Sequence, residues 1–257
     1  MRILAVGDVA GAPGLEFLEN RLRALRRTLG LDFVVVNGEN SNVVGMQPRH
    51  GERIFAAGAD VITLGNHTWA YRDIYQYLDE NSRVIRPVNF APQCPGSGYA
   101  VVGTAKGRVC VINLLGRYGL DGNADHPFQC IDRTLDELRG QAEVFVVDFH
   151  AEATSEKRAL GYYLDGRVSA VWGTHTHVQT SDAQVLPNGT GYITDIGMTG
   201  AVHSVLGIET EQSIGKFLGD PPERYRPGKG ECKLEGAVFE IDESTGRCLS
   251  AEAVRIL

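Results

Sequence analysis

The chain has 257 residues, 43% of them hydrophobic, which suffices for one large core, and its net charge is -7. That acidity excludes a general electrostatic attraction to duplex nucleic acid or an anionic membrane surface, so any phosphate recognition has to be local. Five cysteines without a Cys-x-x-Cys pair argue against a disulfide framework and a thiolate zinc site and suit a reducing cytosol.

Arg2 to Val6 reads as a strand, and Asp8 interrupts it before a signal-peptide hydrophobic region could form. A cytoplasmic location is therefore expected, and no apolar run approaches the roughly 18 residues of a membrane helix. Leu15, Leu18, Leu22, Leu25 and Leu29 recur at helical spacing after Pro13, with Gly30 at the stop. Asp32 to Val36 reads as a buried strand, Gln47 to Ala57 as a helix ending at Gly58, and Asp60 to Leu64 as the next strand. This βαβαβ order implies a parallel sheet. Residues 68 to 80 read as a helix leading to a short strand at Val84-Ile85.

Gly98 to Val102 and Val109 to Leu114 form a predicted hairpin around Thr104-Ala105-Lys106-Gly107. Alternation returns with helix Ile131 to Arg139, strand Val144 to Val147, helix Ser155 to Leu164 and strand Val168 to Trp172. The tail reads as antiparallel strands at Gln184 to Leu186, Tyr192-Ile193, Ala237 to Ile241 and Leu249 to Val254. An α/β protein with two mixed sheets flanked by helices accommodates this order. A single domain over 1–257 is expected, with an irregular, loop-rich segment at about 199–235 of the kind used as a lid or binding loop.

Metal-ligand types close one apolar run after another: Val6-Gly7-Asp8, Val36-Asn37-Gly38-Glu39-Asn40, Leu64-Gly65-Asn66-His67, Asp148-Phe149-His150 and Gly173-Thr174-His175-Thr176-His177. Taken alone, Asp8 could cap a helix, Asn66 could stabilise a turn and His150 could be a core histidine. A core strand end has no need of a ligand type every time. Dinuclear hydrolytic sites need carboxylate, amide and imidazole ligands from several chain segments, and open α/β sheets put ligands outside the carboxyl ends of their strands. His50, His126 and His203 are left over, and His203 alone follows a segment from which it could reach a substrate.

These segments resemble the calcineurin-like metallophosphoesterase superfamily, which reads Asp-x-His, Gly-Asp, Gly-Asn-His-Asp/Glu, a lone His and Gly-His-x-His. The match covers residues 8 to 177 in order. Ala10 stands where the first-motif His belongs, Glu39-Asn40 replaces the Asp of Gly-Asp, Thr68 replaces the acid after His67, and Thr174 separates Gly173 from His175. The departures fit the bacterial YmdB-like branch, whose string Asp-Phe-His-Ala-Glu-Ala-Thr-Ser-Glu-Lys is reproduced by residues 148 to 157.

The resemblance implies two mixed sheets packed face to face in a four-layer α/β/β/α sandwich. It implies a first metal on Asp8, Glu39, Asn40 and His177, with Glu39 bridging to a second on Asn66, His150 and His175. His67 would be the catalytic acid. The cofactors would be two divalent or mixed-valence transition metal ions, iron or manganese before zinc or cobalt; the imidazole, amide and carboxylate set disfavours calcium. Such ions lower the pKa of a bound water towards about 7 for in-line attack on phosphorus. The implied substrate is a small phosphodiester, notably 2′,3′-cyclic AMP opened to a 3′-phosphate, with no duplex nucleic acid or membrane partner and with homo-oligomers possible in principle. Two alternatives stay open: a phosphomonoesterase, either a nucleotidase or a protein phosphatase, and a metal-stabilised regulatory scaffold.

Overall fold

The computed structural model describes residues 1–120 and 123–257. The first half runs β1 (Arg2–Val6), β2 (Asp8–Val9), α1 (Gly11–Thr28), β3 (Phe33–Asn37), α2 (Pro48–Ala57), β4 (Val61–Thr63), α3 (Asp73–Glu80) and β5 (Val84–Ile85). There follow β6 (Tyr99–Thr104), β7 (Gly107–Leu115), α4 (Pro127–Glu137), β8 (Val144–His150), α5 (Thr154–Tyr163) and β9 (Ala170–Thr174). The chain ends with β10 (Gln184–Val185), β11 (Gly191–Ile193), β12 (Met198–Ala201), α6 (Thr210–Leu218), β13 (Cys232–Asp242) and β14 (Arg247–Ile256).

One sheet has the order β2-β12-β13-β1-β3-β4-β5, with β14 on β13; the other has β10-β11-β9-β8-β7-β6. Both are mixed, as expected. Strands β1, β3, β4 and β5 are parallel, as are β7, β8, β9 and β11.

Strand periodicity explains the layers, because successive side chains leave opposite faces of a sheet. In β1, Leu4 and Val6 face a helix-side core while Ile3 and Ala5 face an inter-sheet core; Val34 and Val36 of β3 divide from Phe33 and Val35 in the same way. In the second sheet Val109 and Val111 enter the inter-sheet core, while Cys110, Ile112 and Leu114 turn to a third core with Ile131 and Leu160 of α4 and α5. Trp172 stacks on Phe239 across the inter-sheet layer with ring centroids 5.7 Å apart. Three cores between four layers make the α/β/β/α sandwich.

Four parts of the chain differ from the sequence expectation. Strand β11, expected in an antiparallel tail, is antiparallel to β10 but parallel to β9. The helix expected from residue 68 starts only at Asp73, because Thr68 N–H and Oγ1 both donate to Gly65 O and Ala70 N–H donates to His67 O, holding 65–70 in consecutive turns. Helix α4 begins at Pro127, four residues early, with proline in its first turn, where the missing N–H costs nothing. Residues 199–235 are not irregular throughout, since they carry most of β12, α6 and the start of β13. Their periodicity is hidden because β12 is only four residues long; at the helix beside it Gly14 is required, since a Cβ there would lie 2.1 Å from Thr199 O. No described helix is long and apolar enough to cross a membrane.

Candidate metal centre

The carboxyl ends of the parallel strands in both sheets meet at one edge of the sandwich, and every residue expected to bind metal lies at that edge, in a strand or in the loop leaving it. Asp8 lies in β2, Glu39 and Asn40 follow β3, Asn66 and His67 follow β4, His150 ends β8, and His175 and His177 follow β9. The structure brings all of them together. Asp8, Glu39, Asn40 and His150 are buried; Asn66, His67, His175 and His177 are half-buried.

Two groups of donor atoms form within this cluster. His150 Nε2 lies 2.9 Å from Glu39 Oε1, 2.9 Å from Asn66 Oδ1 and 3.1 Å from His175 Nδ1. His177 Nε2 lies 3.3 Å from Asn40 Oδ1 and 3.7 Å from Asp8 Oδ1.

Asp8, Glu39, Asn40, His150, His175 and His177 are each tied to the protein through one polar atom and present the other to the centre. Asp8 Oδ2 accepts from His175 N–H at 3.2 Å, and Glu39 Oε2 accepts from His67 N–H at 3.0 Å. Asn40 Nδ2 donates to Val43 O at 2.8 Å, which turns its oxygen inward. His177 Nδ1 donates to Leu206 O at 2.9 Å, because a carbonyl can only accept; Nε2 is left with its lone pair. Likewise His175 Nε2 lies 3.0 Å from Glu152 Oε2, leaving Nδ1 to face His150.

His150 is oriented from behind. Its Nδ1 lies 2.9 Å from Thr174 Oγ1, which spends its own hydrogen on Asp148 Oδ1 at 2.7 Å, so Nδ1 is the donor and Nε2 points at the centre. Thr63 Oγ1 and Asn37 Nδ2 also donate to Asp148. Such outer hydrogen bonds fix the tautomer and direction of a ligating imidazole. Thr174→Val should therefore weaken metal affinity roughly 10- to 100-fold with the fold intact. Metal titration measures this directly, and unaltered affinity would mean that His150 is aligned by packing alone.

The residues fit a cationic cofactor by an observation independent of any relative. Asp8 Oδ1 and Glu39 Oε1 are buried without a hydrogen bond, although His150 Nε2 is 2.9 Å from Glu39 Oε1. Acceptor atoms crowd a space with too few hydrogens to satisfy them, which is costly in a dry interior unless a cation completes it. Glu39, His150 and His175 alone place three ligand atoms within 4.8 Å of one another. Gly65 leaves the room: a Cβ there would lie 2.4 Å from both Glu39 Oε2 and His150 Cδ2.

The electrostatics agree. Burial opposes ionisation of Asp8, but His177, His150 and the His175 N–H outweigh it and hold the carboxyl well below the usual range. Glu39 is lowered in the same way by His150 and His67 against its burial. Burial pulls His150 down, yet Glu39 and Asp8 raise it to about 9. His177 is raised by Asp8 against burial, whereas burial and then the His150 charge push His175 down to about 4. Burial raises Asp148 to about 6 despite donation from Thr63 and Thr174. The centre attracts positive charge, and a proton on His150 competes with a metal for the same lone pair.

His175 and His177 have φ values of 98° and 61°, in the left-handed region that non-glycine residues rarely adopt. Such strain costs of order 1–3 kcal/mol per residue and persists only where surrounding contacts enforce it. Asp195 supplies them: its Oδ2 accepts from Thr176 N–H at 3.3 Å, Thr176 Oγ1 at 2.7 Å and Lys157 Nζ at 2.6 Å.

His67 walls a cavity of about 300 Å³ together with Glu39, Asn40, His175, His177 and Tyr225. The leftover histidines lie elsewhere. His203 is exposed and absent from that wall, His50 accepts from Gln47 N–H at the start of α2, and His126 precedes α4 with its ring on Phe128. Sequence reasoning missed Glu152, the Leu206 carbonyl and the Asp148–Thr174 relay. Glu152 and Asp148 stand inside the ten-residue string that carried the resemblance; nothing in the sequence marks Leu206.

Residues 4–254 match the YmdB-like protein family. The chain belongs to that family. A 2′,3′-cyclic-nucleotide 2′-phosphodiesterase of Bacillus subtilis (strain 168) is 41% identical to this YmdB-like chain over 257 residues, which cover 100% of it and 97% of the relative. Two crystal structures share its architecture at a TM-score of 0.92. One is a hypothetical protein from Thermus thermophilus, 38% identical and covering 100% of this chain and 99% of its own. The other is a novel phosphatase from Mycoplasma pneumoniae, 35% identical and covering 100% and 93%. The YmdB-like chain has the metallophosphoesterase fold, as its sequence motifs implied.

Proposed function

We propose that this YmdB-like chain is a dinuclear-metal phosphodiesterase that opens 2′,3′-cyclic nucleotides such as 2′,3′-cyclic AMP to 3′-phosphates. Hydrolysis of phosphoesters is the coarse activity that its relatives carry in their names. The observation that carries the dinuclear-metal reading is the common tethering of six side chains, each with its other polar atom aimed at the centre and joined there by Asn66 Oδ1. Asp8, Asn40 and His177 would hold one ion, Asn66, His150 and His175 the other, and Glu39 both. When bound, such ions supply an activated water and neutralise charge on the phosphoryl oxygens; the ligand set suits manganese, iron, cobalt or zinc, and the family resemblance favours iron or manganese.

The protein's own part is positioning and proton transfer. Asp8 and Glu39 bring two negative charges to the centre and leave it attractive to a phosphodiester monoanion once two divalent cations are present. His67 lies on the cavity wall with its backbone pinned to Glu39, and among the described residues the one hydrogen bond of its ring is a long contact of Nε2 with Asn66 Nδ2, at 3.5 Å. A ring so lightly held is free to give a proton to the departing 2′-oxygen. General acid catalysis of this kind contributes about 10²–10⁴-fold.

His67→Ala should accordingly lower kcat on 2′,3′-cyclic AMP by about 10²–10⁴-fold while metal content stays at the wild-type level. Metal analysis alongside turnover separates the roles. Parallel loss of metal would make His67 a ligand, and a clear preference for p-nitrophenyl phosphate over its bis-ester would favour the monoesterase reading.

A further inference from the structure

A second and larger cavity of about 830 Å³ adjoins the metal cavity, and Val43 and Tyr225 wall both. Four guanidinium groups line it, on Arg49, Arg53, Arg224 and Arg226. Such a concentration is unexpected in a chain of net charge -7.

Two of these charges are already spent. Arg53 is held by both oxygens of Glu19 at 2.7 Å, and Arg226 pairs with Glu209 at 2.7 Å and with the wall carboxylate Glu223 at 2.9 Å. Among the described residues Arg49 and Arg224 have no carboxylate within 4 Å. Arg49 is nonetheless oriented, donating to Gln47 Oε1, a neutral acceptor, at 2.9 Å. Its charge is fixed in place and uncompensated. A further unmet group points to a ligand: Ser41 is 2% exposed, walls the same cavity, and its hydroxyl has no hydrogen-bond partner.

Planar guanidinium groups and a hydroxyl are what recognition of a phosphate uses. We propose that this cavity is a second substrate subsite, which binds a further phosphate on the nucleotide whose cyclic phosphate enters the metal cavity. The substrate class is then a 5′-phosphorylated or oligoribonucleotide 2′,3′-cyclic phosphate, lying across the Tyr225 ring. The metal cavity, at about 300 Å³, is at the lower limit for a small-molecule site, while the arginine cavity is far larger than the rest of a mononucleotide needs. The inference rests on the phosphodiesterase reading only in that the two cavities share one substrate.

Binding tests it without turnover. Calorimetric titration of the metal-loaded protein should show adenosine 3′,5′-bisphosphate binding about tenfold more tightly than adenosine 3′-phosphate. In the double variant Arg49→Ala/Arg224→Ala that ratio should fall to about one. Both residues are exposed, so thermal unfolding should confirm an intact fold. The kcat/KM ratio between 5′-phosphorylated and unphosphorylated 2′,3′-cyclic AMP should follow the same pattern. Equal affinities in the wild type, a ratio that survives the double variant, or no binding of either nucleotide would overturn the subsite. A binding ratio that collapses in the variant, with neither cyclic substrate hydrolysed, would keep the subsite and remove the phosphodiesterase reading.

Discussion

Glu39→Ala is expected to weaken metal affinity by more than the roughly 10- to 100-fold predicted for Thr174→Val, and to lose turnover with it, since it removes a ligand and not the support of one. Glu39 is 1% exposed, its Oε2 is pinned by His67 N–H, and its Oε1 faces His150 Nε2, the atom on which Asn66 Oδ1 and His175 Nδ1 also converge. The centre loses one of its two carboxylates, so attraction for both ions falls together. Stability gives a readout separate from activity. A metal present at 100 times its Kd and bound only to the folded state adds about 2.7 kcal/mol. Wild-type protein should therefore melt at a higher temperature when metal is added, and Glu39→Ala should not respond. A variant that retains two metals per chain and the full thermal gain would show that Glu39 lies outside the ligand shell.

The donor cluster could be read from sequence because the fold simplifies the geometry. Parallel strands all end at one edge of a sheet, so Asp8, Glu39, Asn66, His150 and His175 needed only to follow apolar runs to be placed near one another. Two sheets packed face to face with their carboxyl edges aligned then bring the β3 and β4 loops against the β8 and β9 loops. What could not be read is which atom of each side chain faces inward. That depends on partners such as the Leu206 carbonyl, 29 residues beyond His177, which carry no residue type to recognise. The same limit hid β2, two residues long and too short for any period, although its pairing with β12 places Asp8 opposite Met198. It also hid the arginine cavity, whose walls come from α1, residues 41–43, α2 and residues 223–227, brought together only by tertiary folding.

Lys157→Met is expected to destabilise the protein by about 3–5 kcal/mol, a melting shift of roughly 6 to 20 °C for a chain of this size. Lys157 on α5 is 1% exposed and its ammonium donates to Asp195 Oδ2 at 2.6 Å. Burial pushes the Asp195 carboxyl up and Lys157 opposes that shift, so removing the lysine strands a charge in an apolar layer. The same Asp195 oxygen accepts from Thr176 N–H and Oγ1 and so holds the turn in which His175 and His177 adopt positive φ. Stability and metal affinity should therefore fall together in this variant, although Lys157 touches no candidate ligand atom. The double variant Lys157→Met/Asp195→Asn removes the stranded charge but keeps an acceptor for Thr176, and a thermodynamic cycle should recover much of the stability lost by the single change. If the double variant is as unstable as the sum of both single changes, the loss comes from packing around α5 and the charge pair has no part in holding the histidine turn.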